Sequence, residues 1–124
     1  MSQKTVLVIE DDRSFARLAE IRLNGKGLKT HLCLDVSNAL EITRRVRPDL
    51  IILDIHMPRR SGMWILKQLQ QDETMRDIPV IINSVLTRKK SIEQLKKMGA
   101  CDFVPKSSGM DLLVDKVIFH LETG

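Results

Sequence analysis

Three stretches of this chain are apolar almost without interruption, and each ends abruptly in polar residues: TVLVI (5–9), LIIL (50–53) and VII (80–82). A strand covered on both faces reads as such a continuous run, whereas a half-exposed strand alternates. Between the runs the apolar residues recur at helical spacing. RSFARLAEIRL (13–23) offers Phe15, Leu18, Ala19, Ile21 and Leu23 as an apolar face, and Gly25 and Gly27 stop it. LKTHLC (28–33) reads as a weaker, alternating strand. DVSNALEITRRV (35–46) reads as a helix capped by Asp35, ended by Pro48. MWILKQLQQ (63–71) predicts a helix burying Ile65, Leu66 and Leu69. VIIN (80–83) predicts a strand opened by Pro79. TRKKSIEQLKKM (87–98) predicts a helix with an Ile92, Leu95 and Met98 stripe, ended by Gly99. CDFV (101–104) is a short fifth strand. GMDLLVDKVIFHLE (109–122) is a closing helix with Leu112, Leu113, Val117, Ile118 and Leu121 apolar. Strand and helix thus alternate five times, which requires parallel pairing through crossovers. The expected fold class is α/β: a three-layer sandwich around an open, doubly wound, flavodoxin-like five-stranded parallel sheet. A closed barrel needs eight strands and about twice the length.

The 124 residues fit one domain spanning 1–124, and 43% of them are hydrophobic, enough for a core. No apolar run is long enough to insert in a membrane, and the N-terminal stretch lacks the layout of a signal peptide. A cytoplasmic location is expected. Cys33 and Cys101 are far apart, without CxxC spacing, and read as buried thiols rather than a disulfide or zinc site. The net charge of +4 gathers in RRVR (44–47), RKK (88–90) and KK (96–97). These clusters fall on different helices, and the chain has no Tyr, one Trp and three Phe with which to stack bases. Solvated helix faces, not direct nucleic-acid binding, are expected, although a basic face suits an acidic protein partner.

In an open parallel sheet all strand C-termini lie along one edge, where ligands bind. Here that edge collects Glu10, Asp11 and Asp12 after the first strand, Asp54 after the third, Asn83 and Ser84 after the fourth, and Lys106 after the fifth. Carboxylates crowded together repel unless a cation joins them. An all-oxygen set suits a hard divalent ion, Mg²⁺ above all, with Mn²⁺ able to substitute. A lysine and a hydroxyl beside them suit the oxygens of a phosphoryl group, and a carboxylate can itself be the nucleophile that forms an acyl phosphate.

Four motifs follow one another at the strand ends: the acids of VLVIEDD, the D-x-x-M-P-x-x-x-G of DIHMPRRSG (54–62), the hydroxyl of PVIINS and the lysine of CDFVPKS. Together they resemble the receiver domain of the two-component response regulators. The resemblance implies that Asp54 is the phosphoacceptor. It implies that Asp54, Glu10, Asp11 and the backbone carbonyl of His56 hold the metal. Ser84 matches the switch hydroxyl, Lys106 the phosphoryl-binding lysine and Phe103 the aromatic switch. A sensor histidine kinase or a histidine phosphotransfer protein would supply the phosphoryl group. The face formed by the fourth helix, fifth strand and fifth helix would then meet a protein effector or an output domain. A monomer or a phosphorylation-dependent dimer fits this scheme, as does either a stand-alone receiver or part of a longer regulator.

The sequence also departs from the family pattern. The acids run three long, so the metal pair is Glu10 and Asp11 or Asp11 and Asp12. The former is preferred, because the strand ends at Ile9 and Asp12 is placed to cap the next helix. Val85 is bulkier than usual after the switch hydroxyl. Pro105 precedes Lys106 instead of following it, which removes the usual cis bond. Phe103 lacks a tyrosine hydroxyl and is as much a candidate for core as for switch. Asn83 stands where an apolar or small residue is usual. Trp64 is expected to pack, and His31 and His120 to be structural or solvated. Two other functions stay open: a phosphohydrolase with an aspartyl nucleophile, although His56 stands where its general acid would be, and a phosphorylation-independent interaction module.

Overall fold

The computed structural model describes residues 3–56, 62–85 and 88–123. Residues 57–61, with the Met57 and Pro58 of the third-strand motif, and residues 86–87, with the expected start of the fourth helix at Thr87, lie outside the described residues. The chain runs β1 (Thr5–Ile9), α1 (Arg13–Asn24), β2 (Lys29–Cys33), α2 (Ala39–Val46), β3 (Leu50–Leu53), α3 (Gly62–Gln71), β4 (Val80–Ser84), α4 (Lys89–Lys97), β5 (Asp102–Pro105) and α5 (Met110–Thr123). The five strands pair in parallel in the order β2-β1-β3-β4-β5. This is the expected doubly wound sheet.

The apolar runs became the central strands because both of their faces are covered. Val6 to Ile9, Leu50, Ile51, Leu53, Ile81 and Ile82 are wholly buried. Leu7, Ile9, Ile51, Leu53 and Ile82 pack with Ala39 of α2, Ile65, Leu66 and Leu69 of α3 and Leu95 of α4. Val6, Val8, Leu50, Ile52, Ile81 and Val104 pack on the other face with Leu23 of α1 and Leu113, Val114 and Val117 of α5. Alternate residues of one strand thus feed two cores. Truncating one of these side chains, Leu53→Ala for example, costs about 2–5 kcal/mol.

Several local expectations need correction. Helix α1 turns Ala16, Ala19 and Leu23 inward and leaves Leu18 and Ile21 46% and 53% exposed. Small alanines let the helix approach the sheet closely, and the chain holds more apolar residues here than one face can cover. Leu112 and Trp64 are likewise exposed, and Val114 takes the inward place on α5. Asp35 does cap, accepting from Ser37 N at 3.0 Å, but it caps a short 3₁₀ turn, Val36–Asn38, ahead of α2. Strand β4 runs one residue further than expected, through Ser84. Cys33 is buried, whereas Cys101 is exposed because it precedes β5 on the sheet's edge. The two cysteines flank opposite edges, and both are free.

Among the described residues, none of the helices is long and apolar enough to cross a membrane. No cis peptide bond occurs among them. His31 is half-buried on edge strand β2, and His120 Nε2 lies 2.9 Å from Asp102 Oδ2.

Candidate functional site

The ends of β1 and β3 are held side by side by the ladder itself. Glu10 N donates to Cys33 O at 3.0 Å and Asp54 N donates to Ile9 O at 3.1 Å, so parallel pairing continues one step past both strands. The carboxylates that follow have little choice of place. Oxygens of Glu10, Asp11 and Asp54 lie within 4.8 Å of one another. Glu10 and Asp54 are buried, at 2% and 5% exposure, while Asp11 opens to solvent.

Lys106 closes the group. It follows β5, yet its Nζ lies 2.6 Å from Glu10 Oε1 and 3.3 Å from Asp54 Oδ2. The same ammonium sits 4.5 Å from the centre of the Phe15 ring, close enough for the ring's negative face to attract it. The second oxygens of Asp54 and Glu10 are satisfied locally. His56 N donates to Asp54 Oδ1 at 3.0 Å, and Asp12 N donates to Glu10 Oε2 at 3.1 Å. Asp12 caps α1 as expected, accepting from Phe15 N at 3.1 Å.

Burial of Glu10 pushes its carboxyl up to about 7, against the lowering effects of the Lys106 hydrogen bond and the Asp12 amide, with the charge of Asp54 adding to the rise. Burial works against the Lys106 ammonium, but the hydrogen bond and charge of Glu10 and the charge of Asp54 more than offset it, and Lys106 is held above the ordinary lysine range. Three carboxylates against one ammonium leave two negative charges without a counterion when all are ionised. That deficit, an all-oxygen donor set and one carboxylate open to solvent suit a hard divalent cation.

Gly62 explains why the segment after Asp54 needs a glycine. Its N donates to Ile55 O at 3.1 Å. A Cβ there would meet the Asp54 carbonyl oxygen at 2.3 Å and Ile55 Cα at 2.8 Å. Any side chain would push the main chain that carries Asp54.

Ser84 is fully buried at the end of β4, opposite Pro105. Phe103 is half-buried and packs against the core under α4. The pairings Ile82↔Phe103 and Ser84↔Pro105 place Ser84 and Phe103 on one face of adjacent strands. Glu10, Asp54 and Phe15 belong to the opposite face, toward α1 and α5. The structure thus gathers Glu10, Asp11, Asp54 and Lys106 into one cluster. Ser84 and Phe103 sit behind it on the other side of the sheet. Val85, at the lip, is 62% exposed.

The sequence reading missed Phe15, which scored as one more apolar residue of a helix, and nothing in its spacing signals a cation over the ring. Asn83 was placed at the ligand-binding edge beside Ser84, but without a role.

A family model described as the response regulator receiver domain matches residues 6–118. Over 118 residues the chain is 28% identical to the polar-differentiation response regulator DivK of Brucella anthropi, covering 95% of this chain and 96% of that protein. Among solved structures, a Francisella response regulator receiver domain superposes with a TM-score of 0.90 at 27% identity, with 98% of each chain covered. The signal receiver domain of a signal transduction histidine kinase from Syntrophus aciditrophicus gives 0.86 at 28% identity, covering 97% of this chain and 91% of that one.

Proposed function

Since the chain belongs to the response regulator receiver domains, we propose that it is a phosphorylation-dependent switch in which Asp54 accepts a phosphoryl group from a phosphohistidine. One observation carries this reading: Lys106 reaches from beyond β5 into a cluster of three carboxylates, 2.6 Å from Glu10 and 3.3 Å from Asp54. A structural ion pair needs one acid. Three acids able to hold a divalent cation, with a lysine beside them at the ligand-binding edge, suit a dianionic phosphoryl group that must be neutralised on arrival.

The donor is a sensor histidine kinase or a histidine phosphotransfer protein. The Asp54 carboxylate attacks phosphorus in line, a P–O bond forms, and the P–N bond breaks with its electron pair leaving on the imidazole nitrogen. Lys106 pairs with the phosphoryl oxygens as they pass to Asp54. The His56 amide, already bonded to Asp54 Oδ1, fixes the orientation of the attacking carboxylate. Glu10, Asp11, Asp54 and the His56 carbonyl would hold Mg²⁺, or Mn²⁺ in its place, which supplies charge neutralisation for the phosphoryl oxygens.

The readout uses the other face of the sheet. Ser84 is drawn toward the new phosphoryl group, and Phe103, one pair back on the neighbouring strand, turns into the room that it leaves. The α4–β5–α5 face changes with them, and the exposed Lys89, Lys90, Lys96 and Lys97 offer it to an acidic effector protein or a separate output domain. The switch works as a monomer or as a dimer formed on phosphorylation, without direct nucleic-acid contact or membrane insertion, in the cytoplasm. It takes part in its own phosphorylation and dephosphorylation but turns over no free substrate.

The test is incubation with Mg²⁺ and acetyl phosphate, followed by intact mass. One labile phosphoryl adduct is expected on the wild type and none on Asp54→Asn. An adduct that survives in Asp54→Asn, or a wild type that is never labelled, overturns the reading.

A further inference from the structure

Asn83 has no part in this scheme, yet it is only 2% exposed. Its Nδ2 donates to Val104 O of the neighbouring strand at 2.9 Å. Its Oδ1 is buried and has no hydrogen-bond partner among the described residues. An unpaired buried acceptor costs about 1–3 kcal/mol. On packing alone an aliphatic residue would serve β4 better.

The place of Asn83 suggests what that cost serves. Ile81, two residues earlier, packs on the α1–α5 face with Val8 and Ile52, so Asn83 faces that side as well. Ile9 pairs with Leu53, and Leu53 with Ile82. One step further along the ladder puts Glu10, Asp54 and Asn83 in one row across the sheet end. Lys106 follows β5, and its ammonium reaches Asp54 beyond β3 and Glu10 beyond β1. Strand β4 lies between β5 and β3. The lysine stem therefore crosses the strand end that carries Asn83, on the face where Phe15 lies beneath its ammonium.

We propose that Asn83 is a positioning residue for Lys106, holding the lysine's strand with one end of its carboxamide and offering the crossing ammonium an acceptor with the other. The inference rests on the reading of Asp54 as phosphoacceptor. The donor end fixes Val104, two residues before Lys106. The acceptor end is unpaired in this structure and stands ready for the third N–H of an ammonium that engages Glu10 and Asp54 with the other two. As Lys106 leaves Glu10 for the incoming phosphoryl oxygens, Asn83 Oδ1 keeps it on the row.

The test compares wild type with Asn83→Val, and with the smaller Asn83→Ala, which cannot overpack the site. Three quantities are measured: the rate of labelling by acetyl phosphate, Mg²⁺ affinity by calorimetry, and Tm. The expected result is a roughly tenfold slower labelling in both variants, with Mg²⁺ affinity unchanged and the Tm of Asn83→Val at or above that of the wild type. In a Lys106→Met background, followed over longer incubations, Asn83→Val is expected to cause no further loss, because the residue acts through the ammonium. An unchanged rate in both variants overturns the inference. So does a loss of Mg²⁺ affinity in step with the rate, or a full additional loss without Lys106. If the wild type itself is not labelled on Asp54, the phosphoacceptor reading fails and this inference falls with it.

Discussion

Glu10 makes a prediction that can be worked through from the structure. Its carboxyl is pushed from 4.5 to about 7, chiefly by burial. A carboxylate whose folded value lies above its unfolded value contributes stability fully below the unfolded value and loses it as pH rises through the folded one. Ionising Glu10 in the folded protein without a divalent cation therefore costs roughly 3 kcal/mol by pH 8, taking about 1.4 kcal/mol for each pH unit. Small domains unfold with about 5–15 kcal/mol, so this is a large fraction of the total. Glu10→Gln is neutral at every pH and keeps an oxygen for Lys106. In urea with EDTA, the variant is expected to match the wild type at pH 5 and to exceed it at pH 8 by about 2–3 kcal/mol. With a slope of about 1–3 kcal/mol per molar urea, the midpoints separate by about 0.7–3 M. Comparing the two proteins cancels the pH-dependent contributions that they share. Adding Mg²⁺ at about a hundred times its Kd is expected to return about 2.7 kcal/mol to the wild type at pH 8, and much less to the variant. If the two proteins unfold at the same urea concentration throughout pH 5–8 in EDTA, the buried-carboxylate argument is wrong, and with it the electrostatic case for a divalent cation.

Gly62→Ala is expected to destabilise by about 1–3 kcal/mol and to slow labelling of Asp54, because its Cβ collides with the Asp54 carbonyl; a fully active variant of unchanged Tm would contradict this. Arg88 stands at the N-cap of helix α4 and provides no side-chain cap, and Lys89 and Lys90 follow in the first turn. Arg88→Asp is expected to raise stability by about 1 kcal/mol through the cap and the helix dipole, read as a higher urea midpoint. In the native protein, iodoacetamide is expected to reach Cys101 and spare Cys33, since only Cys101 is exposed. The reaction at pH 7 is expected to be slow, because desolvation and the neighbouring Asp102 push the Cys101 thiol up to about 11. Rapid labelling of Cys33 without denaturant would contradict the packing of β2.

What the sequence revealed of this molecule follows from how each feature is encoded. Wholly apolar runs such as LIIL are hard to place anywhere but between two layers, so the sheet, its parallel sense and the convergence of Glu10, Asp11, Asp54 and Lys106 are legible in the sequence. Asp12 as a cap was legible too, because a helix start leaves N–H groups that an aspartate one residue upstream can accept from. Facing was less legible on the helices. Leu18 and Ile21 are as apolar as Leu23, and only the close approach allowed by Ala16 and Ala19 decides which side turns inward. The burial of Cys101 was misread because apolar neighbours in sequence do not reveal that β5 is an edge.

The harder part was contacts between residues that carry no motif. Nothing in helix 1 says that the Phe15 ring lies under an ammonium supplied some ninety positions later. Asn83 shows the converse. It broke the apolar pattern of β4, and the sequence reading could give that break no role. Its meaning depends on a register that places it between the strand that supplies Lys106 and the strand that supplies Asp54. A polar residue that violates its strand's pattern, lies in a row with two carboxylates and keeps one buried acceptor unpaired is costly to retain for packing. That cost is understandable if the acceptor is used when the lysine moves, and the Asn83 and Lys106 double-variant cycle asks whether it is.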